Sequence, residues 1–118
     1  DEPTSGVSTE EKDPVMKTVV SAVKAAKTTA LIIEHDMSIV FSYSDRVIAM
    51  HEGKILVDSP PRKVYGDPEL LQKLYDIGIR PPWPAELISR LKRRRILPEN
   101  APVPLTVEYA SNIIKEYL

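Results

Sequence analysis

Two short runs in this 118-residue chain hold the side chains best suited to chemistry. The first is Asp1-Glu2-Pro3-Thr4-Ser5-Gly6 and the second is Ile32-Ile33-Glu34-His35-Asp36. Adjacent carboxylates can divide their labour, one holding a magnesium ion through water and the other polarising a water molecule, while an imidazole at the end of a strand can touch the phosphate under attack. Other reaction classes lack their equipment. There is no G-x-S-x-G nucleophile elbow, and His35 and His51 show neither H-x-x-H nor H-E-x-x-H spacing, so the sequence gives no basis for a dedicated zinc site. A G-x-x-x-x-G-K-[ST] phosphate loop is also missing from these residues, so the runs equip part of a phosphoryl-transfer site and not all of one.

Elements must position those side chains. Residues 1–13 read as a polar loop leaving a strand, and Asp13-Pro14 reads as an N-cap followed by a first-turn proline. Met16, Val19, Val20 and Val23 recur at helical spacing with Lys17, Lys24 and Lys27 opposite, which predicts an amphipathic helix. Thr28 to Ile33 is short, apolar and partly β-branched, as in a strand covered on both faces. Asp36 is placed to cap a helix through about Tyr43, with Ile39, Val40 and Tyr43 inward. Arg46 to Met50 and Lys54 to Val57 predict a hairpin turning at Gly53. Further helices are predicted at about 62–65, after Asp67-Pro68 with Leu70, Leu71 and Leu74, around Leu87, Ile88 and Leu91, and after Thr106 with Ala110, Ile113, Ile114 and Tyr117 along one side. Trp83, set among prolines, reads as a plug between two parts of the molecule, and Pro98 to Pro104 as a linker. The expected organisation is an α/β part over 1–66, a sheet lacking its early strands, and a small helical appendage over 67–118.

Composition narrows the classes further. Hydrophobic residues make up 42% and charged residues 28%, an ordinary globular balance that argues against disorder throughout. Sixteen basic residues nearly cancel seventeen acidic ones, so no global field points to nucleic acid. The absence of Cys removes disulfides and thiolate metal sites. No apolar run approaches the roughly 20 residues needed to cross a bilayer. The lack of an initiator Met or signal segment suggests a start inside a longer gene product.

In order and separation, the motifs resemble the back half of an ABC transporter ATP-binding subunit. Asp1 to Gly6 looks like the end of the Walker B strand and the start of the D-loop. Glu34-His35-Asp36-Met37 looks like the switch-histidine segment, followed by Ser44-Asp45-Arg46-Val47 and by the hairpin sequence His51-Glu52-Gly53-Lys54-Ile55. The resemblance implies a partial P-loop NTPase sheet, with Asp1 as the carboxylate holding magnesium through water, Glu2 as the group activating the attacking water, and His35 contacting the γ-phosphate. It also implies that Ser5, Gly6 and Ser8 of the D-loop lie near nucleotide. Ser8 stands where the family commonly has Asp. Val7-Ser8 and Glu34 resemble the branched-chain amino acid importers, whereas Asp67-Pro68-Glu69-Leu70-Leu71, Gly78-Ile79-Arg80-Pro81-Pro82 and Pro104-Leu105-Thr106-Val107-Glu108 resemble the tail of energy-coupling factor importers.

The implied cofactors are ATP and magnesium, used only by the complete subunit. The implied partners are a second ATP-binding subunit and transmembrane permease subunits, at the cytoplasmic face of a membrane. The chain alone is expected to be inactive and, with strands left unpaired, to self-associate. An interaction or regulatory module is the competing class. The run Lys92-Arg93-Arg94-Arg95 fits anionic lipid headgroups or a solvated helix end.

Overall fold

Six helices and one two-stranded antiparallel sheet make up the chain in a computed structural model that describes residues 1–118. Helix α1 spans Thr9–Ala25, α2 Met37–Tyr43, α3 Pro61–Gly66, α4 Pro68–Asp76, α5 Trp83–Arg93 and α6 Val107–Tyr117. The strands are β1, Val47–His51, and β2, Lys54–Ser59.

The strongest local signals fold as they read. Asp36 accepts hydrogen bonds from the Ser38 and Ile39 amides at the start of α2. Asp67 does the same for Glu69 and Leu70 of α4, and the Thr106 hydroxyl accepts from the Tyr109 amide of α6. Each satisfies amides that a first helical turn leaves without a partner. Between the strands, Glu52 and Gly53 both take positive φ, +50° and +75°, the turn whose twist suits a tight hairpin. Met50 pairs with Ile55 and Ala49 with Val57, with a bulge between those pairs. The extra residue decides the faces: Ala49 and Val57 are buried together while Met50 and Ile55 stay exposed together.

Four expectations are corrected. Helix α1 starts five residues before Pro14, with Ser8 at the N-cap position. Asp13 is inside the helix, pairing with Lys17 and accepting a hydrogen bond from the Tyr43 hydroxyl. An acidic first turn at Glu10 and Glu11 suits the positive helix end, and Pro14, the sixth helical residue, removes the bond its N–H would have given the Glu10 carbonyl. Thr28 to Ile33 is not in a sheet: Leu31 and Ile33 are exposed, because no other strand of the chain lies beside this segment to pair with its amides. Trp83 is 58% exposed on the first turn of α5, while its neighbours Pro81, Pro82 and Pro84 are the buried ones. Residues 98–104 pack as well as connect, since Ala101 and Pro104 are buried.

Two apolar clusters hold these elements. The larger joins Phe41 of α2, Val47, Ala49 and Val57 of the hairpin, Val64 and Tyr65 of α3, Leu74 of α4 and Ala85 of α5. Its residues come from both sides of Gly66. Phe41 and Tyr65 meet with ring centroids 4.8 Å apart at a 45° tilt, and the Tyr65 hydroxyl is buried without a hydrogen-bond partner. The smaller cluster, Ile88, Leu97, Ala101, Ala110 and Ile113, locks α5 to α6 through the 94–106 segment. No helix is long and apolar enough to cross a membrane.

Candidate functional site

The polar loop 1–8 is folded by a turn and by its contacts with the segment just before α2. The Glu2 amide donates to the Ile33 carbonyl at 2.6 Å and the Glu2 carbonyl accepts from the Ser5 amide at 3.0 Å. Glu2 itself has φ +44°, a left-handed conformation that costs a non-glycine residue roughly 1 kcal/mol. These two hydrogen bonds hold it there. Thr4 is the anchor of the loop and is 2% exposed.

Glu34 connects the two runs. One carboxylate oxygen accepts from the Thr4 amide at 2.9 Å and also from the Thr4 hydroxyl. The other accepts from the His35 amide at 3.0 Å and the Asp36 amide at 3.4 Å. Burial works to raise the pKa of this carboxyl, but the hydroxyl and the three amides together outweigh it and leave the group below its usual value. Asp36 is tied back to α1 by Lys12, Nζ to Oδ2 2.8 Å. That bond, set against a smaller burial effect and joined by the capping amides, lowers the Asp36 pKa. Lys12, Glu34 and Asp36 thus clamp the start of α2 and the loop to each other.

Glu2 and His35 meet as a consequence. His35 Nε2 lies 2.8 Å from Glu2 Oε1, with the two side chains 81% and 43% exposed respectively. A pair so open to water contributes little stability by itself. Its interest is chemical: a carboxylate able to accept a proton and an imidazole able to donate one face the same side of the molecule, though 33 positions separate them in sequence. Asp1 is exposed beside Glu2. No group of three or more His, Cys, Asp or Glu side chains is arranged to hold a metal. Magnesium needs no such cage, since it keeps several waters and takes one or two carboxylates plus substrate phosphates; Asp1 fits that limited part.

The other candidate residues of the 1–8 loop show mixed placements. Gly6 has φ +73°, which lets the chain turn from the Thr4 anchor toward α1. Ser5 is exposed. The Ser8 hydroxyl donates to Glu11 Oε2 at 3.0 Å, so its side chain is used within the helix start. Thr4 and Glu34 are the residues that motif reading passed over as participants. No local signal marks the contact, since the two residues are 30 positions apart.

Over most of its length the chain is homologous to ABC transporter ATP-binding proteins, at about 30% identity. Its small α/β fold matches a C-terminal portion of those ATPases. An energy-coupling factor transporter ATP-binding protein of Caldanaerobacter subterraneus is 30% identical over the whole chain, which covers 40% of that relative. A putative ABC transporter ATP-binding protein of Methanosarcina acetivorans is 32% identical over 98% of the chain and 18% of its own length. A second energy-coupling factor transporter ATP-binding protein, from Clostridium perfringens, is 32% identical over 80% of the chain, 32% of its own length. The chain therefore spans well under half the length of these relatives. No protein-family model matches it.

Proposed function

We propose that this chain forms the part of an ABC importer's ATP-binding subunit that acts on the water and the terminal phosphate of ATP. The observation that carries this reading is the 2.8 Å approach of His35 to Glu2, two residues whose motifs match the hydrolytic segments of the family. Glu2 orients the attacking water and accepts its proton; His35 Nε2, which lies against Glu2 in the chain alone, turns its single N–H to the γ-phosphate when nucleotide is bound. Such transfer depends on positioning and charge neutralisation more than on covalent chemistry. Asp1 contributes a water-mediated contact to magnesium, which when bound neutralises charge on the phosphates. Ser5, Gly6 and Ser8 form the backbone bend beside the nucleotide.

The remaining length of such a subunit supplies the phosphate loop and the strands that flank 28–33. The exposure of Leu31, Ile33, Ile48, Met50 and Ile55 supports that complement, because large apolar groups are costly to leave in water. Residues 1–66 serve the ATPase part and 67–118 form a helical extension through which the subunit meets its dimer partner. Permease subunits dock on the assembled pair at the cytoplasmic face of the membrane. In the full-length protein, Glu2→Gln is expected to lower ATP turnover by about 10²–10⁴-fold while leaving subunit assembly intact. Unchanged turnover would remove the assignment. The 118-residue chain alone is expected to bind ATP-magnesium no better than about 1 mM, and a micromolar calorimetric affinity would show that it needs no complement.

A further inference from the structure

The sequence run Lys92 to Arg95 does not stay together in space. Lys92 is half-buried, where burial, partly opposed by Glu99, lowers its pKa. Arg95 takes φ +58° just past the helix end, where its amide donates to the Lys92 carbonyl at 2.8 Å and closes off α5. Arg93 and Arg94 turn instead toward a cleft of about 450 Å³ between α4 and α5. Arg90, one turn earlier on α5, lines the same cleft, and Arg80 enters it from the α4–α5 connection. Gly78, φ +81°, reverses the chain after α4 and so delivers Arg80 to this position.

Four arginines line the cleft, and two of them approach its one carboxylate. Glu86, with a side chain only 15% exposed, holds Arg90 at 2.5 Å and lies 4.0 Å from Arg80. Arg93 and Arg94 make no ion pair. Cations are favoured near a helix C-terminus, which accounts for part of the α5 set. That effect does not reach Arg80, which belongs to a different segment. Like charges three and four residues apart also repel, so Arg90, Arg93 and Arg94 crowd at a cost that a bound anion would relieve. Planar guanidinium forks suit phosphate oxygens, which accept two parallel hydrogen bonds from each. Tyr75 stands on the cleft wall with a hydroxyl able to donate a further one.

From this geometry we infer that the cleft bounded by Arg80, Arg90, Arg93 and Arg94 is a binding site for a multiply charged phosphate group, which competes with Glu86 for Arg80 and Arg90. The site is separate from Glu2 and His35 and does not depend on their proposed role. The ligand chemistry is a phosphomonoester or diphosphate, carried either by a soluble molecule or by a lipid headgroup.

Calorimetric titration of the 118-residue chain with inorganic pyrophosphate at low ionic strength tests the first source. Co-sedimentation with vesicles containing phosphatidic acid, whose headgroup is a phosphomonoester, against phosphatidylcholine vesicles, tests the second. Binding in either arm should weaken at least tenfold in the Arg93→Ala/Arg94→Ala double variant and fall steeply with added salt. Glu86→Gln, which removes the one competing carboxylate, should strengthen it severalfold. Arg93 and Arg94 are exposed, so thermal unfolding of the double variant should match the parent chain. Pyrophosphate binding without vesicle binding assigns the site to soluble phosphates, and the converse to headgroups; both support it. Absence of binding in both arms, or binding equal in the parent and double-variant chains, overturns it.

Discussion

Ile88 and Ile113, which join α5 to α6, are 0% and 1% exposed, whereas Leu31 and Ile33, between α1 and α2, are 82% and 54% exposed. Both pairs are large aliphatic side chains in apolar stretches of sequence. The C-terminal pair finds its cover within 30 residues of chain. The other pair has none, and order around it comes from a polar clamp, with Thr4, Lys12 and Asp36 gathered about Glu34. The difference separates two sources of structure: the helical end is organised by packing against itself, and the end bearing Glu2 and His35 by a few hydrogen bonds that fix a surface geometry. A region built the second way has an apolar face available to another part of a larger protein.

Substitutions should expose this asymmetry. Ile88→Ala leaves a cavity in a closed cluster and is expected to cost about 2–5 kcal/mol in urea unfolding, while Leu31→Ala in the same chain should stay within about 0.5 kcal/mol. Equal costs would mean that residue 31 is covered after all. The clamp should rank between them. Glu34→Gln removes the charge that accepts the Thr4 hydroxyl and the Thr4, His35 and Asp36 amides, at an expected cost of about 1–3 kcal/mol, with added loss of protection from hydrogen exchange at the Thr4 and His35 amides.

Acidification probes the same clamp. The pKa values of Glu34 and Asp36 are lower in the folded chain than in an unfolded one. Their contribution to stability is therefore complete above the ordinary carboxylate range, about 4, and is lost as pH falls through the lowered folded-state values. Exchange of the 1–8 loop should accelerate over that acid range before the α5–α6 cluster opens, and simultaneous opening would contradict the distinction. The smallest effect is expected in the larger cluster. Tyr65→Phe removes a buried hydroxyl that has no partner, so stability should be unchanged or slightly raised, whereas a loss above about 1 kcal/mol would reveal a bond for that hydroxyl.

Much of this fold was legible because its signals are local. Asp36, Asp67 and Thr106 each cap a helix within three residues of themselves, and Gly53 marks a turn whose flanking strands adjoin it. The misreadings concern partners that sequence spacing does not specify. Asp13-Pro14 has the form of a helix start, yet Ser8 with Glu10 and Glu11 offers an earlier one. Thr28 to Ile33 carries strand residues, but a strand needs a neighbour and this chain places none there. Trp83 lies outward while the three prolines around it are buried. At the candidate site, Glu2 and His35 were readable as chemical types from their motifs. The Thr4–Glu34 clamp was not, since nothing local announces a hydrogen bond across 30 positions. The arginine cleft was hidden for a similar reason: Arg80 joins it from outside the basic run, and Lys92 leaves it.

The central claim is that Glu2 and His35 act on one reacting phosphate as a pair. A double-mutant cycle on ATP turnover in the full-length protein, using Glu2→Gln, His35→Ala and both together, tests it most directly. If the pair acts as a unit, each single change lowers turnover by orders of magnitude and the double variant is scarcely worse than Glu2→Gln alone. Losses that multiply independently, or a single variant with the parent's turnover, would contradict the claim.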